Sequence, residues 1–325
     1  MKPNGFAARW VALWNQREAP TSLCAARILL GLVALADLLW VKAVDGVSFS
    51  FAPPPLGLGY AALAQPPFTA RWFGATETTA LTLYAVSLLA TLAFTLGAAF
   101  RVAALVMALA LSQLAHFAPS GDRGIDGLLR IVVLLLALSA ANARWSVDAW
   151  IRRLRGLPAI TEANSWPRLL LFGQVAWVYF SAAHNRADVA WWPMGGCSAV
   201  AVTWADPHYA RFAPGWPPFM YSLSQVATFS TMLFETTAPA LIAFTWLHRH
   251  PARGGRFGEF VRRYHLRWVW LALGASLHLG IALTMRLGIF PFGMLALYPL
   301  LLHPSEIDAA LARLRARSSR NYRSV

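Results

Sequence analysis

The chain has 325 residues, of which 58% are hydrophobic and only 13% are charged, and its formal net charge is +14. Soluble domains carry about 25% charged residues, so this composition excludes an ordinary soluble globular protein. Several apolar runs approach the ~20 residues that cross a bilayer as a helix. Basic loops beside a membrane explain the positive charge without nucleic-acid binding.

The N-terminal residues 1–21 are predicted to form an amphipathic segment that lies at the membrane interface. Arg9, Arg17 and Glu18 interrupt its apolar residues, so it lacks the continuous apolar core of a signal peptide. Trp10 and Trp14 are residue types that favour the headgroup level.

The apolar runs that follow predict an all-α fold, a polytopic integral membrane bundle of about eight transmembrane helices. Helices satisfy all their backbone hydrogen bonds internally, as a bilayer requires, and a barrel would instead show short alternating segments. The predicted spans cover 22–42, 77–97, 101–117, 124–142, 168–184, 222–247, 266–286 and 288–303. Pro291 and Pro299 break the last span, and counts of seven or nine stay open. No linker divides residues 22–303, which are predicted to form one membrane domain.

Two long outer loops and a basic tail complete the predicted organisation. The first loop, 43–76, contains "FAPPPLGLGYAALAQPPF", whose prolines exclude a continuous helix. The second loop, 185–221, has an apolar centre at 197–204 that is predicted either to lie flat or to dip inward as a short helix. Residues 304–325 are predicted to be a basic cytoplasmic tail with an amphipathic helix capped by Ser305.

The distribution of positive charge predicts the orientation. Most of the 28 Lys and Arg residues fall in segments on the same side as the N-terminus, and cytoplasmic loops are the ones that collect these residues. Both termini are therefore expected in the cytoplasm. The basic inner loops 143–167 and 248–267 are expected to contact anionic lipid.

Ionisable residues within the spans are candidates for function, because each costs at least ~2.5 kcal/mol on insertion scales. On the predicted topology they gather in the outer halves of the helices, whereas Arg27 lies near enough to the inner surface to reach it. The outer set consists of Asp37, His116, Asp122, Arg123, Asp126, Arg130, Tyr179, His184, Arg186, Asp188, Glu235, His278 and Arg286. No zinc or other metal-binding motif is present in the sequence.

Each of these polar residues also has a structural interpretation. Asp126 and Arg130 have the i,i+4 spacing of a helical ion pair and are predicted to pair. His184 and Asp188 either mark the water boundary or belong to a site. Glu235, in "MLFETTAPALI", and His278, in "LGASLHLGIALTM", either line a cavity or support helix packing. A histidine with a pKa near neutrality is also a potential proton carrier.

Four stretches of the chain resemble the HTTM family, the membrane domain shared with the vitamin K-dependent gamma-carboxylases. They are "ARILLGLVAL", "SGDRGIDGLLRIVVLLLALS", "WVYFSAAHNRADVAWWPMGG" and "LHLGIALTMRLGIFPFGMLALYPLLLHP". The resemblance covers roughly residues 20–303 and implies a multi-pass protein of the bacterial inner membrane.

The resemblance also implies a site and a cofactor class. In the carboxylases a lysine deprotonates the vitamin K hydroquinone, whose oxidation yields a strong base that removes a glutamate gamma-proton before carbon dioxide is added. This chemistry takes place on the lumenal side, which corresponds to the outer side here. Arg186 occupies the position of the lysine base and Asn185 that of the lysine before it. Asp188, Trp191 and His278 match the family's acidic residue, tryptophan and helix histidine.

The arginine argues against authentic gamma-carboxylation, because arginine remains protonated in proteins. If chemistry persists, His278 or His184 is the expected base, and Arg186 is expected to stabilise an oxyanion or carboxylate. Glu235 completes the predicted catalytic set. Tyr179, Asp188, Trp191, Arg130 and Asp126 are the predicted substrate-binding residues.

Three functions therefore stay open. The first is an enzyme, or an essential part of one, that modifies or matures an exported peptide or a lipid-soluble substrate at the outer face. Bacterial members of the family include a maturation protein for a secreted peptide toxin, which supports this hypothesis by analogy. The second is a non-catalytic scaffold for a partner membrane protein, and the third is a quinone-binding, lipid-binding or transport protein.

Overall fold

A computed structural model describes residues 5–44, 46–59, 68–212 and 216–321 of the chain. The start of the N-terminal segment, parts of both predicted loops and the end of the basic tail lie outside the described residues. The regular secondary structure of the described part is helical apart from two short strands. Its α-helices are α1 (Phe6–Trp14), α2 (Thr21–Val44), α3 (Val47–Phe51), α4 (Phe68–Phe73), α5 (Glu77–Leu96), α6 (Phe100–Phe117), α7 (Gly124–Ala137), α8 (Val147–Leu154), α9 (Trp166–His184), α10 (Ala199–Ala205), α11 (Phe219–Thr236), α12 (Ala238–Arg249), α13 (Gly255–Arg263), α14 (Leu266–Thr284), α15 (Phe290–Ala296), α16 (Tyr298–Leu301) and α17 (Pro304–Asn321). The antiparallel strands are β1 (Arg17–Glu18) and β2 (Ala163–Asn164).

The helices confirm a helical membrane protein but not the predicted number of spans. Among the described residues, α2, α5, α6 and α14 are long and apolar enough to cross a membrane, and the pair α11 and α12 is a fifth if it forms one span. Helices lie in all eight predicted stretches, but α7, α15 and α16 are shorter than a bilayer requires.

The predicted span 222–247 is broken in the structure. The axes of α11 and α12 differ by 61°, and the break falls at Thr237, just before Pro239 in the first turn of α12. Proline has no N–H to donate and its ring clashes with the preceding turn, so it cannot continue a regular helix.

The four helices that are long and apolar enough to cross a membrane carry apolar side chains on their outer surface as well as in the core. Leu32, Leu89, Leu109 and Leu283, on α2, α5, α6 and α14, are all exposed. In water such residues on neighbouring turns would form a large apolar surface that soluble proteins avoid. In lipid they are the expected solvent-facing side chains.

The chain divides into two compact units. Unit 1 comprises residues 1–171 and 296–325, and its core is the mutual packing of α2, α5, α6 and α7. Helices α2 and α5 approach closely at Gly31, where an added Cβ atom would overlap the Thr95 side chain. Small residues permit such close approach of membrane helices, and the Tyr84 hydroxyl adds a 2.7 Å hydrogen bond to the Leu38 carbonyl.

Arg27 is completely buried in unit 1, so the expectation that it extends to the inner surface is wrong. Its Nη2 donates to the Trp145 carbonyl at 2.5 Å, and its side chain contributes to the core beside Gly97. The Trp145 carbonyl thus takes the place of water as the acceptor for one nitrogen of the buried guanidinium.

Gly97→Ala is expected to destabilise unit 1 by more than about 2 kcal/mol. Gly97 ends α5 with φ of 65°, a conformation that costs an L-residue about 1–2 kcal/mol. An added Cβ would also overlap the buried guanidinium of Arg27. Thermal unfolding in detergent measures the loss. Gly173→Ala on α9, where an added Cβ meets nothing within 4 Å, is the control and should unfold at or above the parent temperature. Equal midpoints for both variants would contradict the prediction.

The tail helix α17 begins at Pro304, two residues before the start that Ser305 as N-cap would give. The Glu306 carboxylate accepts a 2.7 Å hydrogen bond from the His303 N–H, and the helix starts at Pro304, so Ser305 lies inside the helix and its predicted role as N-cap is wrong. Asp308 accepts hydrogen bonds from Thr21 at 2.9 Å and from Arg144 at 3.1 Å. The start of the tail is thereby packed against other parts of unit 1.

Unit 2 comprises residues 172–295 and contains most of α9, all of α10–α14 and most of α15. The short helix predicted in the second loop is confirmed as α10, which packs against α11. The Val200 N–H donates to the Thr228 hydroxyl at 3.1 Å. The backbone of Ala210 pairs with that of Met285, which joins the loop before α11 to the end of α14.

Candidate functional site

Unit 2 contains a buried hydrogen bond between Tyr179 and His278. Tyr179 lies on α9 and His278 on α14, and the phenol oxygen is 2.6 Å from Nε2 of the imidazole. The two residues are only 3% and 1% exposed. The phenol can donate to a neutral imidazole or accept from its N–H, and the two groups lie within the hydrogen-bonding distance that proton transfer requires.

Aromatic side chains surround this pair. The Tyr179 ring makes edge contacts with Phe234 at 4.7 Å and Trp270 at 5.9 Å, and Phe234 stacks on Trp270 at 4.2 Å between centroids. Phe290 lies 5.7 Å from the imidazole. The indole N–H of Trp270 donates to the Phe234 carbonyl, which fixes α14 against α11. These apolar walls exclude water and strengthen polar interactions within them.

A second feature of unit 2 is the ion pair between Arg186 and Glu235. The guanidinium donates from Nη2 to Oε1 at 2.8 Å, and Nη1 lies 2.6 Å from Oε2 as an ion-pair contact. The side chains are 19% and 8% exposed. Hydrogen bonds between ionised groups are roughly twice as strong as those between neutral groups. Glu235 follows Phe234 on α11. One residue of this helix therefore packs against Tyr179, and the next residue forms the ion pair with Arg186.

Arg186 is held on its other sides as well. Its guanidinium carbon lies 3.7 Å from the centre of the Trp191 ring, and Nη1 is 3.6 Å from the Met232 sulfur. Burial lowers the pKa of Arg186, and the Glu235 carboxylate offsets part of that shift. The side chain is a buried cation fixed by a carboxylate and an aromatic ring, which suits anion binding and not proton abstraction.

Two of the predicted catalytic and binding residues lie apart from these contacts. His184 is exposed and stacks on Phe180 at 5.3 Å. Asp188 is also exposed, and its carboxylate accepts the Ala190 N–H at 2.8 Å to cap a short 3-10 turn. Asp188 therefore shapes the loop that carries Trp191 to Arg186.

The predicted Asp126–Arg130 pair is wrong, and both residues belong to a charge cluster of unit 1. Asp126 accepts hydrogen bonds from the backbone and side chain of Arg123 at 2.9 Å. Arg130 instead binds Asp122 through two contacts of 2.7 and 2.8 Å. The hydrogen bonds from Arg130 lower the pKa of the Asp122 carboxyl. Asp126 lies in the first turn of α7, where the backbone N–H of Arg123 and the helix dipole favour a carboxylate.

Asp37 joins the same cluster, at 2.6 Å from Arg123. Burial opposes the charge of Arg123, but its hydrogen bonds to Asp126 and Asp37 outweigh burial and raise its pKa. His116 makes a 2.6 Å contact with the Ser112 carbonyl, as a helix-end residue commonly does. The cluster therefore joins two guanidinium groups to three carboxylates by contacts within unit 1.

Sequence reasoning missed the aromatic residues that enclose the pair, chiefly Phe234, Trp270 and Phe290. They occur in apolar runs where an aromatic residue is the expected occupant, so no local signal distinguishes them. Only Phe234 had an indirect indication, since it precedes the singled-out Glu235.

A model of the HTTM domain matches residues 15–249, which is more than half of the chain. The match contains Tyr179, Arg186 and Glu235 and ends before His278. No curated protein and no solved structure matches the chain. Together with the apolar helices, the match identifies the chain as a membrane protein of the HTTM family.

Proposed function

We propose that this protein modifies or matures an exported peptide or a lipid-soluble substrate, with Tyr179 and His278 as its proton-transfer pair. The observation that carries this proposal is the 2.6 Å hydrogen bond between two side chains that are almost completely buried among aromatic rings. General acid–base catalysis requires such contact within hydrogen-bonding distance. In this role His278 is the base and Tyr179 orients and polarises its imidazole.

Arg186 has the complementary role of holding an anion. Its guanidinium is paired with Glu235 and stacked on Trp191, so in this role a substrate carboxylate or oxyanion takes the place of the Glu235 carboxylate on a permanently charged donor. Preorganised donors of this kind stabilise charge that develops during a reaction. Asp188 supports the site indirectly through its cap of the Trp191 turn.

The proposed topology places this cluster in the outer half of the membrane. Eight helical stretches cross or enter the bacterial inner membrane, both termini lie in the cytoplasm, and long loops face outward. The excess of Lys and Arg in the segments assigned to the cytoplasm supports this orientation.

The hydroquinone chemistry of the related carboxylases does not fit the residues present. Their base is a lysine, and a desolvated lysine can lose its proton. Arg186 keeps its proton, and Glu235 and Trp191 hold its guanidinium. We therefore assign no step to a quinone and propose no gamma-carboxylation.

A non-catalytic scaffold is the second candidate, and one observation favours it. The charges of Arg186 and Glu235 satisfy each other inside unit 2, as they would in a pair that only fixes helix geometry. In that function the second loop would dock a partner membrane protein.

Substitution of the proton-transfer pair distinguishes the two functions. Exported peptides and membrane lipids of host cells that lack the gene would be compared by mass spectrometry with those of cells carrying the parent chain. Tyr179→Phe and His278→Gln are expected to abolish, or reduce at least ~100-fold, the product masses that the parent restores, since acid–base groups contribute about 10²–10⁴-fold.

The controls replace the same residue types at exposed positions of unit 2. Tyr221→Phe and His208→Gln should restore the products like the parent. Normal product levels in Tyr179→Phe and His278→Gln would exclude the catalytic role. Loss of products only where the thermal midpoint also collapses would favour the scaffold. Isotopic carbon from bicarbonate in peptide glutamate would overturn the conclusion drawn from Arg186.

A further inference from the structure

Unit 1 contains a cavity, separate from the site above, beside the amphipathic helix α8. We call it the α8 cavity, and its volume is about 410 Å³, within the range of small-molecule sites. Its polar lining comes from Asn142, Asp148, Arg152 and Arg155. The proposed function uses none of these residues.

Two guanidinium groups of the α8 cavity have donors to spare. Arg152 donates from Nε to the Pro158 carbonyl at 2.6 Å, which fixes its side chain while its two terminal nitrogens make no bond to the described residues. The Arg155 side chain makes no hydrogen bond or ion pair within the described part of the chain. Paired arginines with free planar donors match the geometry of a phosphate group.

The one carboxylate in the lining, that of Asp148, repels a bound anion only weakly. Asp148 accepts hydrogen bonds from the backbone N–H groups of Ala99 and Phe100 at 2.8 and 3.0 Å, at the start of α6. The Asn142 amide donates to it as well, at 2.8 Å. Its negative charge is thereby satisfied by the N-terminus of α6, and the arginines are left as the uncompensated charges of the cavity.

The rest of the lining and its surroundings are those of a membrane interface. Ile151, Leu157 and Ile160 form an apolar part of the cavity. Trp145 and Trp150, which lie beside and on α8, are both exposed. Exposed tryptophans and a basic amphipathic helix are typical of a segment at headgroup level. A free phosphate ion would use only the arginines, whereas a phospholipid would also use the apolar part.

We infer that the α8 cavity binds the phosphate headgroup of an anionic phospholipid, with Arg152 and Arg155 on the phosphate and the apolar lining against the glycerol and first acyl carbons. This is a specific site for one lipid molecule and goes beyond the general contact of a membrane protein with its bilayer.

Native mass spectrometry of the full chain tests the inference. The protein would be released from vesicles of equal parts phosphatidylglycerol and phosphatidylcholine, and the retained lipid identified. The parent is expected to retain one phosphatidylglycerol. The double variant Arg152→Gln/Arg155→Gln is expected to lose it by about tenfold or more, since each basic residue near anionic lipid contributes on the order of 1 kcal/mol.

Two further variants separate binding from charge and folding. Arg101→Gln/Arg153→Gln removes the same charge outside the lining and should retain the lipid. Ala149→Phe keeps both arginines but fills the cavity that Ala149 lines, and should lose the lipid while the thermal midpoint in pure phosphatidylcholine stays near that of the parent.

Equal retention in all four proteins would overturn the inference. The inference would also be overturned if inorganic phosphate or glycerol phosphate raised the thermal midpoint of the parent as much as phosphatidylglycerol does. The cavity would then be a site for a soluble anion.

Discussion

Arg186→Ala is expected to lower the free energy of unfolding by about 3–5 kcal/mol, because it leaves the Glu235 carboxylate buried without its partner. The pair is held by contacts of 2.6 and 2.8 Å, and Glu235 is 8% exposed. Arg186→Lys keeps the charge but loses the planar guanidinium that stacks on Trp191, so an intermediate loss is expected. Equilibrium unfolding in detergent measures both.

The double variant Arg186→Met/Glu235→Leu separates the cost of breaking the pair from its net contribution. Removing both charges is expected to recover most of the stability, since apolar replacements of buried pairs are often neutral or stabilising. Arg286→Ala is the control in the same unit, because this arginine is exposed. If Arg186→Ala unfolds like Arg286→Ala, the ion pair does not contribute to the fold as the geometry indicates. If the double variant is as unstable as the single one, the loss comes from packing and not from the unpaired charge.

Glu18→Ala is expected to produce a loss of similar size, about 3–5 kcal/mol, in unit 1. Glu18 binds Arg168 through contacts of 2.7 and 2.8 Å, and the two side chains are only 7% and 4% exposed. The pair connects β1 to the first turn of α9. Removing the carboxylate leaves a buried guanidinium, so the midpoint of thermal unfolding should fall clearly below that of the parent.

The neighbouring Arg17 provides a matched control on the same strand. Its Nη1 donates to the Asn164 side chain at 2.9 Å at an exposed position, and exposed polar pairs contribute about 0–1 kcal/mol. Arg17→Ala should therefore unfold near the parent temperature. Losses of equal size in the two variants would show that the strand pairing of β1 and β2, and not the buried ion pair, stabilises this region.

The positions of the helices followed from the sequence because lipid imposes one requirement on every spanning segment. A long apolar run must form a helix to satisfy its backbone, and helices lie in each of the eight predicted stretches. The break in 222–247 was not predicted, although Pro239 lies at it. Proline is tolerated in many membrane helices when neighbouring groups satisfy the freed carbonyls, so the residue alone does not decide between a kink and a break.

Ion-pair partners were predicted less well than the residues that form them. The i,i+4 spacing of Asp126 and Arg130 permits a pair, but Asp126 binds Arg123 and Arg130 binds Asp122. At these spacings several ion pairs have similar energies. The pair of Asp126 with Arg123 is the one that forms, because Asp126 at the start of α7 also caps the helix.

The sequence alone determined the family, the helical membrane character and the identity of the polar residues at the candidate site, because each polar residue stands out against an apolar run. The tertiary structure decided which of them meet. Tyr179 and His278 are 99 positions apart, and Arg186 and Glu235 are 49 apart, whereas His184 lies on the same helix as Tyr179 and remains exposed. Contacts between distant helices depend on how those helices rotate and pack, and this is set by the sum of many apolar contacts that no single residue reveals.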